Sequence, residues 1–199
     1  MRCLTRFILI LFLSCETSTK DLPILSYTVN DSGQKTFYNI EYDGFTNQSG
    51  ESFSTETIEG KIFIANFFFT RCPSICPPMR TKLISIAEEF SEDQNFLIIS
   101  HTIDPEHDSV SVLKSYAEAT EIPGNTWQFI RASKEKTKSQ AEMYMTNFKP
   151  KEDGSDFYHS SYVALVDSDR QIRGFYNILE SSDVNRLIHD IEFLVLKSK

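Results

Sequence analysis

The chain has 199 residues, of which 40% are hydrophobic and 13% are aromatic. This apolar content is enough for one well-packed core, but the length is short for two independent domains. The formal net charge of −8 argues against nucleic acid as a partner, because phosphate backbones are recognised by positive surfaces. It also argues against a basic patch that binds anionic lipid headgroups.

The N-terminal residues have the layout of a secretory signal peptide. Arg2 and Arg6 precede the apolar run 7–13, which is far shorter than the ~20 residues that a membrane-spanning helix needs. The run continues into a Phe-Leu-Ser-Cys segment that ends at Cys15 and resembles a bacterial lipobox, with Phe12 where the pattern prefers Leu. The resemblance implies cleavage before Cys15 and lipidation of that cysteine, while plain secretion and an uncleaved anchor stay open as alternatives.

The predicted organisation is one globular domain preceded by an N-terminal targeting segment. We expect a bacterial cell-envelope protein that faces the periplasm and is attached to the membrane through a lipid anchor. The predicted segments are a signal peptide of the lipoprotein type over residues 1–14, a tether over residues 15–21 and one folded domain over residues 22–199.

Hydrophobic patterning predicts strands and helices in a mixed order. In chain order, strands are predicted over residues 24–29, 35–42, 62–69, 96–100, 126–132, 161–166 and 171–176. Helices are predicted from Pro78 to about residue 90, with Cys76 at or just before the helix N-terminus, over residues 109–119 and 134–145, and from about residue 183 onward. The first two strands form a predicted β-hairpin, and the polar residues 147–157 an exposed loop that leads to His159. This succession predicts an α/β fold of the thioredoxin-like type, with a central mixed sheet flanked by helices.

The cysteines indicate a reactive or metal-binding pair rather than a framework of structural disulfides. If Cys3 leaves with the leader and Cys15 carries lipid, the remaining thiols are Cys72 and Cys76, and a bridge so close in sequence constrains the unfolded chain little. A buried strand leads into the pair, and a helix begins at the second cysteine, where the helix N-terminus favours thiolate. Three intervening residues place the two side chains on one face, about 5 to 6 Å apart. The pair could therefore bind a soft metal ion or close a disulfide.

Three sequence blocks resemble the Sco/SenC family, whose members are thioredoxin-fold proteins that deliver copper to the dinuclear copper site of cytochrome c oxidase. The blocks are FFFTRCPSICPPM over residues 67–79, TIDPEHDS over residues 102–109 and DFYHSS over residues 156–161. The match extends over most of residues 38–196. The resemblance implies that Cys72, Cys76 and His159 are copper ligands and that the partner is the apo copper-site subunit of cytochrome c oxidase.

The chemistry of this ligand set agrees with copper. Two thiolates and one imidazole form a soft set that suits Cu(I) and also binds Cu(II). A structural zinc site normally has four protein ligands, so zinc is disfavoured. His101 or His107 could in principle supply a fourth ligand, although a surface role is the commoner one for a histidine such as His107. His189 is interpreted as a surface residue of the last helix.

Two interpretations of the 102–109 block stay open. Asp104 and Glu106 could orient the metal ligands through hydrogen bonds, as carboxylates often do around metal sites. Alternatively, Asp104 begins a simple turn and Asp108 caps the following helix. The positive charge of Arg71 could favour the thiolate form of Cys72.

Two functions compete at this stage, so the protein could be a binding protein or an enzyme. A metallochaperone needs both thiols and His159. A thiol:disulfide oxidoreductase needs only Cys72 and Cys76, as a redox pair that reduces a cell-envelope partner and is itself kept reduced by a thioredoxin-like protein. A peroxidase is disfavoured, because Thr70 is one residue too close to Cys72 for a TxxC motif.

Overall fold

The structure, a computed structural model, describes residues 21–150, 157–158 and 160–198. The predicted leader, the lipidation site Cys15 and the predicted ligand His159 lie outside the described residues. The strands are β1 Tyr27–Val29, β2 Lys35–Phe37, β3 Phe45–Asn47, β4 Ser52–Phe53, β5 Ile62–Phe68, β6 Phe96–Thr102, β7 Trp127–Arg131, β8 Lys149–Pro150, β9 Phe157–Tyr158, β10 Tyr162–Val166 and β11 Ile172–Asn177. The helices are α1 Cys76–Glu89, α2 Val110–Glu118, α3 Lys134–Met143 and α4 Ser181–Lys197, with a 3-10 turn over Thr55–Ile58.

A seven-stranded mixed sheet in the order β11-β10-β5-β6-β7-β3-β4 forms the centre of the described domain. Strands β5, β6 and β7 are parallel, and the flanking strands are antiparallel to their neighbours. Every residue of β5 and β6 is buried, as expected for strands covered by helices on both faces. The predicted mixed α/β class is therefore confirmed.

The helices cover both faces of the sheet. Tyr116 of α2 packs against Phe68, with ring centroids 5.3 Å apart, and Tyr144 at the end of α3 packs against Phe67 at 5.8 Å. Adjacent residues of a strand point to opposite faces, so α2 and α3 lie on opposite sides of β5. The apolar residues that define the face of α1 are buried as predicted, namely Met79, Leu83, Ile86 and Ala87.

The N-terminal hairpin is confirmed but is shorter than predicted. Strands β1 and β2 pair antiparallel over three residues each around the turn at Gly33, which has a φ of 80°. The short strands β3 and β4 were not predicted, because two or three residues carry too little periodicity to be recognised. Helix α4 begins at Ser181, slightly before the predicted start.

The segments that form the candidate site meet at one edge of the sheet, where the central strands β5 and β6 end. Phe68 at the end of β5 pairs with Thr102 at the end of β6, and the chain leaves both strands at this edge. Strand β10 runs antiparallel to β5, with Val166 opposite Phe63, so its first residue Tyr162 lies toward the same edge. The described residue Ser160, which precedes β10, therefore lies toward the end of β5.

The first described residues lie at the opposite edge. The buried guanidinium of Arg173 donates to Asp167 at 2.6 Å, to the Asp21 carboxylate at 3.0 Å and to the carbonyl oxygen of Pro23 at 3.2 Å. Asp167 follows β10 beside the beginning of β5. In the ranges that the structure describes, no helix is long and apolar enough to cross a membrane.

Candidate metal centre

The two cysteines lie where β5 gives way to α1. Cys72 is in the turn after the strand, and its N–H donates to the carbonyl oxygen of Phe69 at 3.2 Å. Cys76 is the first residue of α1, as predicted. Both are thiols, and each exposes less than a tenth of its surface, 6% for Cys72 and 4% for Cys76. The fold thus places the predicted pair side by side and buried, after the end of β5.

Hydrogen bonds make the Cys72 thiol more acidic than an ordinary cysteine. Burial alone opposes ionisation, but the backbone N–H groups of Cys76 and Ser74 and the side chains of the same two residues outweigh it, so the pKa of Cys72 is below its usual 9.0. The Ser74 hydroxyl lies 3.7 Å from the Cys72 sulfur. Thiolate is the form that binds metals and attacks disulfides.

One backbone N–H of α1, that of Cys76, donates to the Cys72 sulfur. Helix α1 begins Cys76-Pro77-Pro78, and proline has no backbone N–H. The first turn of a helix normally leaves four N–H groups without intrahelical partners. The two prolines remove two of these donors, and the Cys76 N–H is one of those that remain to stabilise negative charge on Cys72.

Aromatic and cationic side chains lie around Cys76, the second cysteine of the pair. Cys76 shares a pocket with Phe68, Arg80 and Tyr116. The Arg80 guanidinium lies 4.7 Å from the centre of the Tyr116 ring. Burial, followed by the negative charge of Cys76, raises the pKa of Tyr116 to about 12, so its hydroxyl stays protonated at neutral pH.

The 102–109 block forms a turn against the cysteine segment. The N–H groups of His107 and Asp108 donate to the carbonyl oxygen of Asp104 at 3.1 and 2.8 Å, so the prediction of a turn is confirmed. The Asp104 carboxylate accepts from Arg71 at 2.8 Å. The lowered pKa of Cys72 arises from hydrogen bonds rather than from the charge of Arg71, whose guanidinium is directed at Asp104.

The prediction that Asp108 caps α2 is wrong. Ser109 is the capping residue, and its hydroxyl accepts from the N–H of Val112 at 3.3 Å. Asp108 instead accepts from the N–H of Thr70 at 3.2 Å and from its hydroxyl at 2.5 Å. This long-range contact was missed, because neither residue belongs to a pattern that reveals its partner.

The hypothesis of a fourth ligand is wrong for His101. Its ring is fully buried in the core, with Nδ1 3.0 Å from the carbonyl oxygen of Asn66 and Nε2 3.0 Å from the Tyr42 hydroxyl. Since a carbonyl can only accept, Nδ1 carries the proton and Nε2 accepts from Tyr42. Both ring nitrogens are engaged, so neither is available to a metal.

The other candidate residues lie at the surface or belong to the turn. His107 is 47% exposed at its side chain, and its Nδ1 lies 3.1 Å from Asp108. Potential ligand atoms of Asp104, His107 and Asp108 approach one another within 4.8 Å, but the two carboxylates already accept hydrogen bonds from Arg71 and Thr70. Glu106 is exposed, and so is His189, as predicted.

Comparison with known protein sequences finds one matching family and several relatives. The SCO1/SenC family model matches residues 30–195. The SCO1 protein homologue of Bacillus subtilis is 30% identical over 161 residues, which cover 78% of this chain and 82% of the relative. A protein of Stutzerimonas stutzeri with a provisional designation as copper-binding is 33% identical over 139 residues, covering 64% of this chain and 63% of the relative.

Similarity to solved structures confirms the predicted thioredoxin-like architecture. The structure of BsSco, described as a member of the Sco family of cytochrome c oxidase assembly proteins with a disulfide switch, superimposes with a TM-score of 0.69. It is 28% identical, and the match covers 79% of this chain and 94% of that one. The central mixed sheet and the flanking helices are therefore shared.

Proposed function

Because this chain belongs to the SCO1/SenC family, we propose that it is a copper metallochaperone that delivers copper to the dinuclear copper site of cytochrome c oxidase. The observation that carries the proposal is the buried Cys72–Cys76 pair, in which hydrogen bonds lower the pKa of Cys72. The proposed ligands are Cys72, Cys76 and His159. The copper-binding designation of one relative supports the choice of metal.

The donor set fits copper as cargo. Two thiolates and a neutral imidazole suit Cu(I), and Cu(II) accepts the same ligands. Ser160 and Tyr162 follow His159 and approach the end of β5, which supports His159 as the ligand that completes the site. A structural zinc site would need a fourth protein ligand. The carboxylates of the 102–109 turn already accept hydrogen bonds from Arg71 and Thr70, so a four-ligand zinc site is the weaker alternative.

Transfer follows from an incomplete coordination shell. With three protein ligands, copper can accept a cysteine thiolate from the recipient before any ligand of this chain leaves. Stepwise exchange then passes the ion on without a change in its oxidation state. Protection of the thiols before delivery comes from their burial, which leaves only 6% and 4% of Cys72 and Cys76 exposed.

The proposed anchor is a lipid on Cys15, facing the periplasm. Support comes from the lipobox-like segment and from the position of Asp21, which binds Arg173 and Lys197 at the sheet edge opposite Cys72. A tether that leaves at this edge directs the cysteines away from the membrane. The six residues 15–20 can extend at most about 20 Å, so the tether keeps Asp21 within about that distance of the bilayer surface.

The lowered pKa of Cys72 also favours a second function, reduction of a disulfide in a cell-envelope partner. The Cys72 thiolate would attack one sulfur of that disulfide and form a mixed disulfide. Cys76 would then displace the partner, which leaves as a dithiol while Cys72 and Cys76 become a disulfide. A thioredoxin-like reductant would have to restore the pair.

A copper-transfer experiment tests the chaperone. The reduced protein is loaded with one equivalent of Cu(I) and mixed with the apo copper-site subunit, and copper on each protein is measured after separation. Wild type and the matched surface control His189→Ala are expected to transfer copper equally, whereas His159→Ala is expected to deliver far less. Undiminished transfer by His159→Ala would overturn the ligand assignment, and reduction of the subunit's disulfide without transfer would favour the oxidoreductase.

A further inference from the structure

Asp108 is a buried carboxylate whose hydrogen bonds lead to the cysteine turn. Its side chain has no exposed surface, and it accepts from both the N–H and the hydroxyl of Thr70, at 3.2 and 2.5 Å. The hydroxyl of Thr102 donates to it as well, and Nδ1 of His107 lies 3.1 Å away. Thr70 is two residues before Cys72, in the short segment between β5 and the first cysteine.

The backbone on either side of this carboxylate is held by a residue of the central sheet. Arg131 at the end of β7 donates to the carbonyl oxygens of Asp108 at 3.1 Å and of Pro105 at 2.9 Å. The 102–108 turn is therefore fastened to the central sheet, and Asp108 provides a fixed point. The second tie between the two segments, from Arg71 to Asp104, is weaker because the Arg71 side chain is 48% exposed.

We propose that Asp108 is a positioning residue of the copper site, which fixes the Cys72 turn through its two hydrogen bonds to Thr70. The proposal rests on the proposed copper site. One hydrogen bond holds the backbone N–H of Thr70 and the other, shorter one holds its hydroxyl, so the carboxylate restricts both the backbone and the side chain of this residue. With Thr70 held, the Cys72 sulfur stays beside the N-terminus of α1 before the metal arrives, which lowers the cost of ordering the ligands.

The test compares Thr70→Val with Thr70→Ser in the reduced full chain. Valine keeps the shape of threonine but loses the hydroxyl, whereas serine keeps the hydroxyl and should rescue the site. Thr55→Val is the matched control, since Thr55 also makes two hydrogen bonds, to the N–H and the carbonyl oxygen of Tyr42, at the other edge of the sheet. Asp108→Asn, which retains one acceptor oxygen, is the second variant.

The readouts are Cu(I) affinity by competition with a chelator, the absorption spectrum of the Cu(II)-loaded protein, and the unfolding temperature of the metal-free protein. Thr70→Val and Asp108→Asn are expected to weaken Cu(I) binding by about 10- to 100-fold and to shift the thiolate-to-copper bands, with near-normal values in Thr70→Ser and Thr55→Val. A purely structural role would lower only the unfolding temperature, in Thr55→Val and Thr70→Val alike. If Thr70→Val keeps its affinity and spectra while Cys72→Ser loses binding, the positioning role alone is overturned. If Cys72→Ser retains binding, the proposed copper site itself is overturned.

Discussion

Replacement of either Cys72 or Cys76 by serine is expected to weaken Cu(I) binding by more than about 100-fold. Residues that only support a metal ligand contribute about 10- to 100-fold, and loss of a thiolate ligand should exceed that range. A serine hydroxyl stays protonated at neutral pH and is a hard donor, so it replaces neither the charge nor the softness of the sulfur. The two variants should lose a similar amount, because copper needs both sulfurs.

This loss can be measured by titrating the reduced protein with Cu(I) in the presence of a competing chelator. Cys15→Ser is the matched control, because it removes a cysteine that lies outside the predicted domain and should leave the affinity unchanged. Retention of affinity within a factor of a few in Cys72→Ser or Cys76→Ser would contradict a two-thiolate site. Near-ultraviolet absorption from copper–thiolate bonds should disappear together with the tight binding.

Acidification from pH 7 to pH 4 is expected to destabilise the fold by about 3 kcal/mol through His101 alone. Burial lowers the pKa of this imidazole from 6.5 to about 4 in the folded protein. Below pH 6.5 the unfolded chain therefore binds a proton that the folded protein does not accept. Stability from this source is complete above pH 6.5, falls as the pH decreases, and levels off below about pH 4, where the folded protein is protonated too.

The effect can be separated from that of other groups by comparing wild type with His101→Gln in chemical denaturation at several pH values. The variant should be less stable at pH 7 but lose about 3 kcal/mol less between pH 7 and pH 4. Imidazole resonances in the wild-type NMR spectrum give an independent measure, since His101 should remain neutral at pH 5.5. Equal pH dependence in both proteins, with His101 titrating near pH 6.5, would be the contrary result.

Long patterned segments allowed much of the architecture to be predicted. The apolar run that became β5 and the spacing of Met79, Leu83 and Ile86 identify a buried strand followed by an amphipathic helix. Because the cysteines stand between the two, their position at the sheet edge followed directly. The short strands β3 and β4 were not recognised, since they are defined by the pairing of β3 with β7 and of β4 with β3 rather than by any local pattern.

The surroundings of the site were less predictable, because side-chain partners across the fold leave little trace in the sequence. Asp108 precedes a helix and looks like a cap, yet Ser109 is the better placed residue and Asp108 turns toward Thr70. His101 precedes a motif that resembles a metal-binding family, but it lies within the buried strand β6, where its ring nitrogens hydrogen-bond to Tyr42 and Asn66. Which neighbour a polar residue meets depends on strand order and register, which composition and spacing do not specify.

X-ray absorption at the copper K-edge of the reduced protein loaded with one Cu(I) tests the proposed site most directly. The account predicts a three-coordinate ion with two sulfur neighbours and one imidazole nitrogen. In His159→Ala the imidazole signal should vanish while both sulfurs remain. A spectrum with one sulfur or none, or an imidazole signal that persists in His159→Ala, would contradict the assignment of Cys72, Cys76 and His159 as the ligands.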